Sequence, residues 1–105
     1  MNTRREKSHA IKFLESMTGG PVTFGKLLES IRIGQEVSQV QFAKKLGVSK
    51  AHLCDIEKGR RSVSPERAAE FAKRLGHSEV RFVKLVVQDQ LNDAGLRLRV
   101  EIEAA

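Results

Sequence analysis

With 105 residues, 40% of them apolar, and no low-complexity tract, the chain has room for one domain and is not expected to be disordered. No apolar run approaches the roughly 20 residues that span a bilayer, so no membrane role is expected, and the single cysteine excludes an internal disulfide and suits a reducing cytoplasm. The net charge of +6 lies wholly in residues 1–61, which hold 12 Lys and Arg against 6 Asp and Glu, whereas residues 62–105 hold 7 against 7, so the N-terminal part is the one suited to a polyanion.

The chain opens on MNTRREKSHAIKF, whose basic residues lead into no continuous apolar run, so it does not read as a secretory signal. Residues 3–17 read instead as an amphipathic helix with Ala10, Ile11, Leu14 and Met17 on one stripe. Gly19-Gly20-Pro21 breaks that pattern and marks a loop. A second helix starts after Thr23, carries Phe24, Leu27, Leu28 and Ile31 at spacings of three and four, and ends at Gly34. Ser38 followed three residues later by Gln41 is a capping box, and the helix it opens runs through Phe42, Ala43 and Leu46 to Gly47. Ser49 caps the next helix, over 49–58, with Leu53 and Ile56 inward and Gly59 closing it. Ser64-Pro65 opens another that carries Ala68, Ala69, Phe71, Ala72 and Leu75 before Gly76.

Ser78 caps a last helix, roughly 79–92, which is apolar on two sides. Val80, Val83, Val87 and Leu91 lie on one side, and Phe82, Leu85 and Val86 lie toward the other. One face covers the core, and the second, with Phe82 and Val86, is either a subunit interface or part of a fully wrapped core helix. After Gly95 the period becomes two: Leu96, Leu98, Val100 and Ile102 alternate with Arg97, Arg99, Glu101 and Glu103, as in a half-buried strand. A lone strand leaves its edges unpaired, so a symmetric antiparallel pairing with a second copy is its simplest solution. The other solution is a strand laid along its own domain.

The tight Leu46-Gly47-Val48-Ser49 link between two short helices has helix-turn-helix geometry. Ala43 permits close approach of the second helix, Gly47 supplies a positive φ, and Val48 fills the space beneath. The stretch FGKLLESIRIGQEVSQVQFAKKLGVSKAHLCDIEKGRRSVSPERAAEFAKRLG resembles the Xre family, the domain of lambda-type phage repressors and Cro. The matching positions are Leu27, Arg32, Ser38-Gln39, Phe42-Ala43, Leu46-Gly47-Val48-Ser49, Leu53, Ile56-Glu57 and Gly59, within residues 24–76. Cys54-Asp55 departs from the family's habit of Ser followed by a neutral or basic residue, which bears on base preference and leaves the fold unaffected.

The resemblance implies an all-α fold, a lambda-repressor-like five-helix domain over 21–93. It is preceded by an N-terminal helical extension and linker (1–20) and followed by a C-terminal strand (94–105). It also implies that helix 49–58 lies in the major groove of double-stranded DNA. Periodicity agrees, since Leu53 and Ile56 inward leave Lys50, Ala51 and Asp55 outward. Lys50 suits guanine O6/N7, Ala51 a thymine methyl and Asp55 cytosine N4, and His52 flanks them, either reading DNA or half-packed at the surface. Gln39, Ser49, Lys58, Arg60 and Arg61 form the expected phosphate rim, with Lys50 beside them. Glu57 is expected to pair internally with Arg32.

Nothing in the residues encodes other chemistry. His9, His52 and His77 with Cys54 lack a metal-ligand spacing, Asp55 and Glu57 diverge on their helix, Cys54 has no base to activate it, and no glycine-rich phosphate loop occurs. The absence of Trp and Tyr argues against a stacking platform for single-stranded RNA. The expectation is therefore a non-enzymatic transcriptional repressor with no cofactor and no metal. It would act as a homodimer on a pseudo-palindromic operator, with Leu96, Leu98, Val100 and Ile102 in the subunit interface. Similar small Xre proteins with a C-terminal strand include antitoxins, so a protein toxin is an alternative partner, with operon autoregulation as the DNA-binding task.

Overall fold

A computed structural model of the chain describes residues 22–105, and the helix expected over residues 3–17 lies outside them. Five helices follow one another: α1 (Phe24–Gly34), α2 (Gln39–Leu46), α3 (Lys50–Glu57), α4 (Pro65–Leu75) and α5 (Glu79–Asp93). Every start is set by a hydroxyl N-cap. Thr23, Ser38, Ser49, Ser64 and Ser78 each accept from the backbone N–H three residues on, satisfying a donor that the first turn leaves orphaned. At Ser38 the box is reciprocal, because Gln41 Oε1 accepts from the Ser38 N–H at 3.2 Å. Gly47 and Gly76 end α2 and α4 in the left-handed region, at φ 75° and 72°.

The core gathers one stripe from each helix. Leu28, Phe42, Leu46, Leu53, Ile56, Phe71 and Phe82 are its largest fully buried side chains. Phe24 stacks on Phe71 at 6.5 Å between ring centroids and meets the edge of Phe82 at 5.5 Å, tying α1 to both α4 and α5. Each buried aromatic or aliphatic side chain of this kind contributes about 1.5–3 kcal/mol. Asp89 of α5 adds a polar tie, accepting at 2.8 Å from the Phe24 N–H at the start of α1. Burial pushes the Asp89 carboxyl up from its ordinary range, and that bond opposes the rise.

Two sequence expectations are corrected. Phe82 and Val86 are 0% and 3% exposed, so they belong to the monomer core and not to a face open to a second chain. Among the described residues there is no strand, so residues 96–105 do not form the expected one. A period-two pattern forms a strand only where a second strand completes the ladder, and here the contacts come from a helix. Gly95, at φ 75°, reverses the chain after α5, with Leu96 N–H donating to Leu91 O at 3.0 Å. The segment then runs back along α5, where Gln88 Nε2 donates to Leu98 O at 2.7 Å and Gln88 Oε1 accepts from Val100 N–H at 2.9 Å.

Candidate nucleic-acid interface

The arrangement of α2 and α3 follows from their connection. Gly47 turns the chain with a positive φ, Val48 N–H donates to Ala43 O at 3.0 Å, and Ser49 restarts the helix at once. Leu53 and Ile56 sink into the core at 0% and 2% exposure and fix the rotation of α3 about its axis. Lys50 and Ala51 are consequently exposed, while His52 and Asp55 are partly covered. Of the four residues expected to read bases, the first two stand free on one outward surface, and the other two sit at its margin.

A buried ion pair holds the base of α3. Glu57 is 5% exposed and accepts from Arg32 through both oxygens, Nε to Oε2 at 2.8 Å and a terminal nitrogen to Oε1 at 3.0 Å. The hydrogen bond to Glu57 pushes the Arg32 guanidinium up from its ordinary value, keeping it charged. Gln39 Nε2 donates to the same Oε1 at 3.0 Å. The expected Arg32–Glu57 pairing is therefore present, and it extends to Gln39 at the first turn of α2. One amide hydrogen of Gln39 is committed to Glu57, which aims the side chain and leaves the second hydrogen to donate elsewhere. Each helix thereby holds the next: α1 supplies Arg32, α2 Gln39 and α3 Glu57.

Asp55 and Arg60, expected to act separately, are brought together. Arg60 Nε donates to Asp55 Oδ1 at 3.0 Å, a terminal nitrogen lies 2.9 Å from the same oxygen, and another contact reaches Cys54 Sγ at 3.8 Å. Gly59, at φ 76°, makes this possible by folding the chain back so that the Arg60 and Arg61 N–H groups both donate to Asp55 O, at 2.8 and 3.2 Å. The Asp55 hydrogen bond pushes the Arg60 guanidinium above its ordinary value. Partial burial, followed by the charges of Arg61 and Arg67, holds the His52 imidazole below its ordinary pKa, with Asp55 opposing. His52 is thus biased toward the neutral form, chiefly by burial, with the two arginine charges adding to it. Ser49, Lys58, Arg60 and Arg61 are exposed around the same surface.

Sequence reasoning missed two features here. The return of Arg60 onto Asp55 had a signal in Gly59, since a left-handed residue after a helix sends the next residues back toward its last turn. The fixing of Gln39 by Glu57 had none, because a residue pair 18 apart in sequence carries no periodic trace.

Within this geometry, the comparisons with known proteins are specific in one respect. A family model described as helix-turn-helix matches residues 28–82, which include α2, the turn and α3. No curated protein and no solved structure matches the chain.

Proposed function

Because the chain belongs to the helix-turn-helix family of Xre, lambda-repressor type, whose members bind DNA and regulate transcription, we propose that it is a sequence-specific repressor acting as a dimer on a pseudo-palindromic operator. The observation that carries this reading is the pairing of a free outward surface on α3, Lys50 and Ala51, with a rigid support beneath it, Arg32–Glu57–Gln39. Base recognition needs donors held at fixed angles, and a helix rotated only by surface contacts would not provide them. In the proposed complex α3 lies in the major groove. Lys50 donates to a guanine edge and Ala51 meets a thymine methyl. The second amide hydrogen of Gln39 and the α2 N-terminus hold one phosphate, and Ser49, Lys58 and Arg61 hold others. A single domain of this size spans one half-site, which is why two copies are invoked.

The Asp55–Arg60 pair gives the two residues linked roles. Asp55 holds Arg60 through one oxygen and offers the other to a cytosine amino group, while its charge repels phosphates that approach out of register. Arg60 stays at the rim, where its guanidinium reaches the backbone. Titrations of operator DNA against salt test this. Arg60→Ala lowers affinity on every duplex and reduces the slope of log K against log salt by about one. Asp55→Ala raises affinity on unrelated duplexes and relaxes preference at one base pair. The double variant departs from additivity, as contacting residues do. Additive effects in that cycle would contradict the linked roles, and no measurable preference for any duplex over another would remove the function itself.

A further inference from the structure

Among the described residues the C-terminal segment has backbone hydrogen bonds on one edge and none on the other, and its charges alternate in a way that selects a partner. The Gln88 side-chain amide grips Leu98 C=O and Val100 N–H at 2.7 and 2.9 Å, the two groups a neighbouring strand would bond on that side of an extended residue 99. In an extended chain the N–H and C=O of Arg99 then point to the opposite side, as do those of Arg97, Glu101 and Glu103. Among the described residues, none of these backbone groups has a hydrogen bond. Leu96 and Leu98 are 48% and 57% exposed, whereas Val100 and Ile102 are half-buried. The segment is therefore held on its own helix as a template with a free edge and uncovered leucines, the arrangement that recruits a further strand.

We infer that this edge pairs antiparallel with the same segment of a second copy, in one register, with Val100 on the two-fold axis. That register places Arg97 against the partner's Glu103 and Arg99 against the partner's Glu101, and symmetry repeats both. The hydrogen-bonded positions are the odd-numbered residues, whose backbone groups form the open edge. Leu98 falls opposite the partner's Ile102 on the apolar face. Sliding the pairing by two residues brings Arg99 against Arg99 or Glu101 against Glu101, and a parallel pairing in register stacks like on like throughout. A slip of one residue sets Leu98 against a glutamate and Ile102 against an arginine. Opposite charges across a ladder contribute modestly and like charges destabilise, so charge here chooses the register while the backbone bonds and leucines supply adhesion. This deepens the dimeric reading above and rests on it.

Charge exchange tests the rule on the full-length chain by sedimentation. The wild type is expected to be dimeric. R97E/R99E makes every facing pair acidic and E101R/E103R makes every facing pair basic, so each variant alone dissociates at least about tenfold more readily. An equimolar mixture of the two restores the dimer as a heterodimer, and the fourfold exchange R97E/R99E/E101R/E103R restores it as a homodimer. In a Cys54→Ser background, V100C closes a disulfide with its own copy, because a non-hydrogen-bonded pair on the two-fold has suitable Cα spacing. A monomeric wild type, variants that stay dimeric, a mixture that does not recombine, or V100C that stays reduced under mild oxidant would each overturn the proposal. DNA binding is read separately on the fourfold exchange, which keeps the wild-type net charge. If that variant dimerises and neither it nor the wild type binds any duplex, the pairing stands and the repressor reading fails.

Discussion

Replacing Gly25 with alanine is expected to destabilise the domain by about 3 kcal/mol or more, enough to leave much of a small domain unfolded. Gly25 lies in the first turn of α1 and is buried where that helix crosses the end of α3. A Cβ there would collide with the backbone carbonyl oxygen of Ile56, and the Glu57 carbonyl oxygen stands only 3.1 Å away. Neither atom is the end of a side chain that can rotate aside. Relief requires the two helices to separate, which opens the aromatic contacts of Phe24 and strains the Arg32–Glu57 pair. Alanine is otherwise the better helix former by about 1 kcal/mol, so the sign of the effect is itself informative. Gly34 serves as the control: a Cβ there meets nothing within 4 Å. Urea unfolding should show Gly34→Ala at wild-type stability or above and Gly25→Ala far below it. Equal midpoints would contradict the close crossing.

Glu57→Ala is expected to cost about 3 kcal/mol, because removing one member of a buried pair leaves the other charge uncompensated. Arg32 keeps its guanidinium in a site where the side chain is 17% exposed, and Gln39 loses the acceptor that aims it. Glu57→Gln retains an acceptor oxygen of nearly the same shape and should cost less. The two variants also separate stability from recognition. At a temperature where both are folded, Glu57→Ala should bind operator more weakly than Glu57→Gln, since α2 and α3 are no longer tied through one carboxylate. Thermal unfolding and operator titration measure the two effects. Equal loss in both variants would show that charge, and not the acceptor geometry, is what Glu57 provides.

Much of this was legible in the sequence because the controlling features are local. Caps at Ser38, Ser49, Ser64 and Ser78, left-handed glycines at 47 and 76, and apolar residues three and four apart each act within one or two turns, and each leaves a readable trace. The Arg32–Glu57 pair was legible through the family resemblance, not through spacing. The remainder depends on tertiary placement. Gly25 looks like an unfavourable helix residue until its crossing with α3 is seen. For Phe82 and Val86 the sequence leaves a subunit interface and the core both open, because α5 is apolar on both sides and periodicity does not say which side a helix buries. The alternation in the tail reads as a strand, but no strand forms among the described residues, since the groups that bond it belong to a glutamine on a helix, which has no sequence pattern. Asp55 and Arg60 were both named, but as independent contacts, because the return of the chain at Gly59 was read only as a helix end.

Selection of preferred sites from a pool of random duplexes asks whether α3 presents side chains 50 and 51 to base edges. With the wild-type chain, the selection should yield a pseudo-palindromic site. With Lys50→Ala, preference should collapse at one base pair in each half-site, by roughly tenfold or more, while flanking positions hold. An unchanged site from the Lys50→Ala and Ala51→Gly variants would mean that the surface α3 exposes is not the one that reads DNA.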